Sequence, residues 1–490
     1  MNILILLLLL PLLLFFYKHS QSHTKNLPPG PNLLIVLKNI SQFSKSPHIA
    51  LTNLSKMYGP LISLRLGGQI VVVASTPAIA EEVLKTHNRV FSGRFLPSVY
   101  YNVPGTKNAS LVMARECNDT WKFLRGIGQK SIFSSMAIES TSPIRTMKVM
   151  EMMKFLRNNK EGKVVNIENI ISATFTNIAT NVLASRNLFE PGGESEKDKK
   201  VMNFFNDIIE KATTFGLSDF FPVLERVDFW TKGRAMGIYR TINLIWDDII
   251  KERRERGESA ETKSTQDFLD VLIGHSFSND EIGILLTELI VAGMDTTTIT
   301  IVWLMAELIK NPEIFHKVRK EITDQAIQNN TLNESLLSEC QYFQACIKET
   351  LRLHIPGPFG VPHRATETCQ VNNYKVPKDS IVLVNLWAIQ VDPNNWKDGT
   401  KFKPERFLNS TIDFKGATSE FIPFGAGSRK CPGSNVALRV VQLIVASLVY
   451  YFDWNLPNGK NWSELDLTDR FGTTLKKDKP LYLIPKQRGN

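Results

Sequence analysis

The 490-residue chain carries a formal net charge of +10, with 43% hydrophobic and 22% charged residues. That composition excludes wholesale disorder and allows one large core or two or three smaller ones. A basic balance suits an acidic membrane surface or protein, but there is no dense Lys/Arg block interleaved with aromatics, so nucleic acid is not an expected partner. The five cysteines, Cys117, Cys340, Cys346, Cys369 and Cys431, include no C-x2-C pair, which argues against a zinc or dithiol motif and fits a reducing compartment.

In chain order, Ile3 to Tyr17 is an uncharged apolar run followed by Lys18 and Lys25. It is shorter than the ~20 residues of a usual spanning helix, a mismatch that tilt or bilayer thinning absorbs. Met1-Asn2 carries no basic side chain and SQSHTK is a poor cleavage sequence, so residues 1–17 are expected to be an uncleaved anchor and not a signal peptide. The positive charge behind it would hold the rest of the chain in the cytosol. Residues 18–32 form a polar hinge ending in Pro28-Pro29-Gly30-Pro31, which is stiff and extended, and residues 33–490 make the folded body. Pro60 to Thr76 reads as two strands joined at Gly67-Gly68, and Pro77 opens a helix. Helical patterning dominates from about Asn118 to Gly357, with the charged stretch Glu194–Lys200 as a connector. Ser278-Asn279-Asp280-Glu281 is a capping box that starts a helix running to Lys310, at about thirty residues long enough to pass through the middle of the protein. A second helix, QYFQACIKETLRLH, ends at Pro356-Gly357-Pro358. Val361 to Ala388 suggests short strands, and a last apolar helix begins just after Cys431. The fold class is mainly α with a minor β region.

The fragment FIPFGAGSRKCPG, Phe421 to Gly433, is the strongest chemical signal. A free cysteine is most often a small buried apolar residue. Here Gly425 and Gly427 permit positive φ and close approach to something flat. Cys431-Pro432-Gly433 sits at a helix start, where unpaired N–H groups and the dipole favour a thiolate. Arg429 can meet an anionic group on the same ligand, and a thiolate bound to haem iron favours O–O cleavage. Phe424, Gly427, Arg429, Cys431 and Gly433 match the pattern F-x-x-G-x-R-x-C-x-G, and through it the chain resembles the cytochrome P450 family, from hydrophobic anchor to last helix.

That resemblance implies the cytochrome P450 fold with an N-terminal membrane-anchor helix and a haem-thiolate catalytic domain over 33–490. The cofactor would be haem b, with Cys431 as metal ligand and Phe424, Gly425, Arg429 and Gly433 around it. On the long helix, Ala292-Gly293-Met294-Asp295-Thr296-Thr297 resembles the family's oxygen-activation motif. Ala292, Gly293, Thr296, Thr297 and Thr300 make a stripe of small residues, against which a planar group or a neighbouring helix could lie. A mid-helix glycine costs ~1 kcal/mol against alanine, and an acid within an apolar helix is costly without a partner. By resemblance Ala292 lies against the haem, while Asp295 and Thr296 are catalytic and relay protons. Trp121 and Arg125 look like the pair that reaches a haem propionate, as does His363, with Arg364 the less favoured candidate. Glu349 and Arg352, i,i+3 on a helix, join Arg406 as the family's structural cluster. The implied substrate pocket holds Leu289, Gly293, Phe359, Val361 and Thr474 as well as Ala292 and Thr296, with Tyr100–Gly105 and Thr213–Leu217 as its lid.

No G-x-G-x-x-G follows a strand and no phosphate loop is present, so electrons must come from another protein. The resemblance implies NADPH-cytochrome P450 reductase, at the endoplasmic reticulum membrane with the catalytic domain facing the cytosol. PPGP, VFSGRF, VPHRATETC and DPNNWKD resemble the plant alkaloid-oxidising branch. The expected activity is an NADPH- and O2-dependent monooxygenation of a small molecule, specifically (R)-littorine to hyoscyamine aldehyde with rearrangement. The alternative is hydroxylation or phenol coupling of another alkaloid or specialised metabolite. Two rivals are a haem-thiolate isomerase or dehydratase, opposed by intact Asp295-Thr296, and a haem-binding sensor without turnover, opposed by the relay helix and pocket.

Overall fold

The computed structural model describes residues 26–221, 224, 228–257, 266–329 and 332–488, so the expected anchor over residues 1–17 and residues 18–25 of the hinge lie outside them. The two expected N-terminal strands form as β1 (Leu61–Leu66) and β2 (Gln69–Ala74), paired antiparallel with Leu61 opposite Ala74 and turned at Gly67, whose φ is +62°. They belong to a five-stranded sheet completed by β3 (Gly93–Arg94), β4 (His363–Arg364) and β5 (Ile381–Val384), in the order β1-β2-β5-β4-β3. Val71, Val72, Val73 and Ala74 of β2 are all buried, the continuous apolar run of a strand covered on both faces, and its partner β5 lies parallel with Val71 opposite Ile381. Ala388, expected at the end of the strand region, sits in a short helix, Leu386–Val391, because the Asn385 side chain accepts the Ala388 N–H and caps it.

The helical body is built from α1 (Asp119–Gly128), α2 (Ile167–Ala184), α3 (Glu196–Thr213), α4 (Phe229–Gly257), α5 (Asn279–Lys310), α6 (Gln341–Leu353) and α7 (Ser434–Tyr451). The charged stretch expected as a connector instead begins α3. Ser195 accepts the Asp198 N–H while Asp198 accepts the Ser195 N–H, a reciprocal cap that buries Asp198 and leaves Glu196, Lys197 and Lys199 exposed on the first turn. The same device, Ser278 with Glu281, starts α5.

Helix α5 is apolar on all sides because α2, α4, α6 and α7 all pack on it. Its interior is buried from Ile282 to Ile309 except at Leu289, Val291, Ala292, Gly293, Asp295 and Thr296, which are half-buried. A central helix uncovered only over this short stretch marks where the core opens. The cysteine loop lies immediately before α7, and a two-stranded hairpin, β6 (Asp469–Phe471) and β7 (Leu475–Lys477), brings the C-terminal region back to α5.

Candidate active site

Hydrogen bonds fold the cysteine loop on itself: Cys431 N–H donates to the Phe424 carbonyl at 3.0 Å and Lys430 N–H to that of Gly427 at 3.1 Å. Gly425 and Gly427 both have positive φ, +69° and +68°. The close approach at Gly427 is to the protein's own backbone, since a β-carbon there would stand 2.0 Å from the Leu84 carbonyl oxygen. Helix α7 begins at Ser434 with Gly433 as its cap, so Pro432 lies before the helix and not at its first position. The N–H groups of Gly433 and Ser434 donate to the Cys431 sulfur, and Arg125 and Lys430 add positive charge, all favouring the thiolate. Burial outweighs them and pushes the thiol above its ordinary value. The helix terminus alone therefore does not make the thiolate; a bound cation would. Cys431 is nonetheless accessible at its surface, and α1 is tied to its loop by Arg125 Nη2 donating to the Lys430 carbonyl at 2.9 Å.

Above this loop sits an arginine cluster. Arg429 donates from Nε to Ser92 O (2.9 Å) and from Nη2 to Ala114 O (2.6 Å), and its guanidinium lies 4.8 Å over the Trp121 ring. Its Nη1 is buried with no partner among the described residues. Trp121 Nε1 donates to the Leu111 carbonyl at 2.8 Å, so the indole supplies a platform and has no N–H left for a propionate. Arg94, not singled out by sequence reasoning, donates to the Val361 carbonyl at 2.7 Å, has a buried unpartnered Nε, and is lowered to about 9 by burial and then by Arg429. Its one signal was its place in VFSGRF.

His363 meets the Phe91 carbonyl through Nδ1 at 2.6 Å and Arg94 Nη1 through Nε2 at 3.2 Å. Burial, then Arg94, holds it well below the ordinary imidazole range. Neutral, donating from Nδ1 to the Phe91 carbonyl and accepting at Nε2, it orients Arg94. Arg364 is committed to Glu116 (2.7 Å) and Asp379. Two neighbouring cations, Arg94 buried and Arg429 half-buried, each with a buried N–H that has no partner among the described residues, call for an anion between them. Together with Cys431, an exposed residue in the adjoining loop, the donor set fits haem b: sulfur for the iron, guanidinium groups for the propionates.

On α5, Thr296 Oγ1 donates to the Ala292 carbonyl at 2.9 Å and Thr300 Oγ1 to that of Thr296 at 2.9 Å. Thr297 and Thr300 are buried, so the accessible stripe is Leu289, Ala292, Gly293 and Thr296. Gly293 answers to helix packing: a β-carbon there would stand 2.7 Å from Phe175 Cζ on α2. Asp295 accepts the Thr474 hydroxyl at 2.6 Å and lies 3.8 Å from Lys476 Nζ. Thr474, expected as a pocket wall, is buried and serves as a partner of Asp295. Phe359 and Val361 are half-buried, Phe359 edge-on to Phe471 at 6.0 Å. In the expected lid, Thr213 Oγ1 meets Thr473 Oγ1 at 2.7 Å. Glu349, Arg352 and Arg406 form one cluster, with Arg406 Nε 3.0 Å from Glu349 Oε1.

Comparison with known proteins identifies the family. A family model described as Cytochrome P450 matches residues 28–484. A probable (S)-N-methylcoclaurine 3'-hydroxylase isozyme 2 from Coptis japonica is 41% identical over 98% of this chain and 97% of its own. Corytuberine synthase from the same plant is 39% identical over 98% of both chains, and geraniol 8-hydroxylase from Catharanthus roseus 36% identical over 96% of both. A zebrafish cytochrome P450 structure with progesterone superimposes with a TM-score of 0.76 at 24% identity, over 90% of this chain and 99% of that one, a likeness of fold.

Proposed function

The chain belongs to the cytochrome P450 family and is a haem b monooxygenase; from that membership we propose that Cys431 ligates the iron and that the substrate is an alkaloid of the N-methylcoclaurine class, hydroxylated or oxidatively coupled. The observation that carries the first part is Cys431, an exposed residue whose sulfur receives the Gly433 and Ser434 N–H groups, with Arg94 and Arg429 nearby each holding an N–H without a partner among the described residues. The second rests on relatives named for N-methylcoclaurine hydroxylation and corytuberine synthesis. The expected conversion of (R)-littorine gains no support from these names, which favour the alternative reading.

Bound haem supplies dioxygen activation with electrons delivered from NADPH. The chain's own residues do the rest. Arg94, Arg429 and Arg125 anchor the propionate edge, Trp121 holds Arg429 flat, and the Gly433 and Ser434 N–H groups steady the sulfur. Thr296 holds a transferable proton at Oγ1, and Asp295, reached from the hairpin side, is the group able to replace it. In a hydroxylation one oxygen atom enters the substrate C–H bond, and two electrons and two protons reduce the other to water; coupling instead removes two hydrogens from the substrate and, with the same two electrons and two protons, both oxygen atoms leave as water. NADPH-cytochrome P450 reductase is the electron donor in this reading. Residues 1–17 anchor residues 33–490 to the cytosolic side of the endoplasmic reticulum membrane.

Microsomes containing the full chain and a reductase test it. Ferrous protein with carbon monoxide should give the thiolate spectrum, lost in Cys431→Ala, and NADPH-dependent turnover of (S)-N-methylcoclaurine should give a product heavier by one oxygen or lighter by two hydrogens. Turnover of (R)-littorine with no action on N-methylcoclaurine would reverse the substrate assignment.

A further inference from the structure

Glu288 lies one turn before Ala292 on α5, is buried, and has more hydrogen-bond donors aimed at it than its neighbours in the site. Its Oε1 accepts from Ser110 Oγ (2.7 Å), Met113 N–H (2.8 Å), Val112 N–H (3.2 Å) and Tyr100 Oη (3.2 Å), and its Oε2 from Leu111 N–H (2.8 Å). Four of these donors come from the loop 110–113 and the fifth from Tyr100 in the short helix Ser98–Tyr101, all distant in sequence, and every one points its hydrogen at the carboxylate. Burial pushes the Glu288 carboxyl above its ordinary value while the converging donors pull it back, and the same hydrogen bonds hold the loop to it. Val112 and Met113 are half-buried, as are Leu289, Ala292 and Thr296 on the neighbouring turns. The segment also reaches the other way, because the Leu111 carbonyl accepts Trp121 Nε1, and Trp121 carries Arg429 on its face.

We propose that Glu288 is a positioning residue that fixes residues 110–113 as a wall of the active-site chamber. It thereby determines how a rigid molecule sits against α5. It touches no reacting atom; it sets the distance between the loop and the helix stripe. A carboxylate, with acceptors only, suits donors alone, whereas an amide would turn one N–H against them.

The proposal rests on the haem-thiolate reading but not on the alkaloid assignment, so the test uses synthetic azoles. In purified full-length holoprotein, imidazole reports on the iron alone, and 4-phenylimidazole reports also on the surrounding wall, both read from the Soret shift. Glu288→Ala should leave imidazole affinity within about twofold and weaken 4-phenylimidazole about tenfold or more, with Glu288→Asp recovering part of the loss. Amide hydrogen exchange over 110–113 should accelerate at least about tenfold in Glu288→Ala. Equal response of both azoles, with those amides still protected, overturns the proposal. If Glu288→Ala does not take up haem, Ser110→Ala and Glu288→Gln decide in a double-mutant cycle on 4-phenylimidazole binding: coupled effects support the role, and additive effects overturn it. A wild-type protein whose Soret band ignores imidazole counts against the haem reading instead, and the exchange measurement, which needs no haem, still decides the role of Glu288.

Discussion

Phe175 Cζ on α2 stands 2.7 Å from where a β-carbon on Gly293 would be. Real carbon contacts do not approach so closely, so Gly293→Ala must displace a ring packed between two core helices. Overpacking of this kind costs about 1–3 kcal/mol, offset by up to ~1 kcal/mol of better helix propensity. The variant should melt lower than wild type, and Phe175→Leu in the same chain should restore most of the loss. Thermal unfolding of the single and double variants checks this; a Gly293→Ala protein as stable as wild type would remove the packing role.

Arg352 uses every N–H of its guanidinium: two toward Glu349 at 2.7 and 2.8 Å, and three toward the carbonyls of Gln390, Gly399 and Lys401. Neither side chain has any exposure. Lysine offers three donors and no fork, so Arg352→Lys leaves buried acceptors unmet. Breaking a buried pair costs about 3–5 kcal/mol. The expected result is little or no haem-loaded protein, measured as haem per polypeptide. Normal loading would show the cluster to be dispensable.

Thr296→Ala should keep haem and substrate binding but divert reducing equivalents to hydrogen peroxide, since the Oγ1 proton is gone. Asp295→Asn should lower kcat by about 100-fold, the scale of a lost general acid. Thr474→Ala removes the hydroxyl that Asp295 accepts and should mimic a weaker Asp295→Asn, shifting kcat and its pH profile more than KM. A rise in KM alone would return Thr474 to the pocket wall.

His48 is buried against Trp387, at 4.8 Å edge-on, with both ring nitrogens unpartnered among the described residues. Burial lowers it from 6.5 to about 4. Between those values the unfolded chain binds a proton that the folded chain refuses. Stability is therefore unaffected by this group above about pH 6.5 and falls as pH drops toward 4, by up to roughly 3 kcal/mol. His48→Leu should flatten that part of the profile. Urea unfolding at pH 7.5 and 4.5 measures it, and an equal acid loss in both proteins would rule it out.

Where sequence and structure parted, the reasons are local. The capping box at Ser278 and the hairpin at Gly67 were legible because their signals are local: Glu281 lies three residues from Ser278, and the strands close through Leu66 opposite Gln69. Ser195 carries the same box, yet a run of charge hid it. The stripe on α5 was ambiguous because small residues serve a flat ligand and a neighbouring helix alike. Phe175 resolves Gly293 toward the helix and leaves Ala292 and Thr296 accessible. Arg94, Glu288 and the neutral His363 depend on partners far along the chain, and no spacing within one segment encodes them. Trp121 was found through its i,i+4 spacing to Arg125, but its N–H partner, the Leu111 carbonyl, is invisible to such a rule.

The parallel pairing of β2 with β5, Val71 beside Ile381, also sets an order of events during synthesis. The first hairpin leaves the ribosome long before its neighbour exists. At about 5–20 residues per second, the intervening polypeptide takes roughly 15–60 s to make. Throughout that interval β2 presents a bare, valine-rich edge able to recruit other strands. Nascent chains stalled before Ile381 should therefore depend on chaperones, and release from them should coincide with emergence of β5.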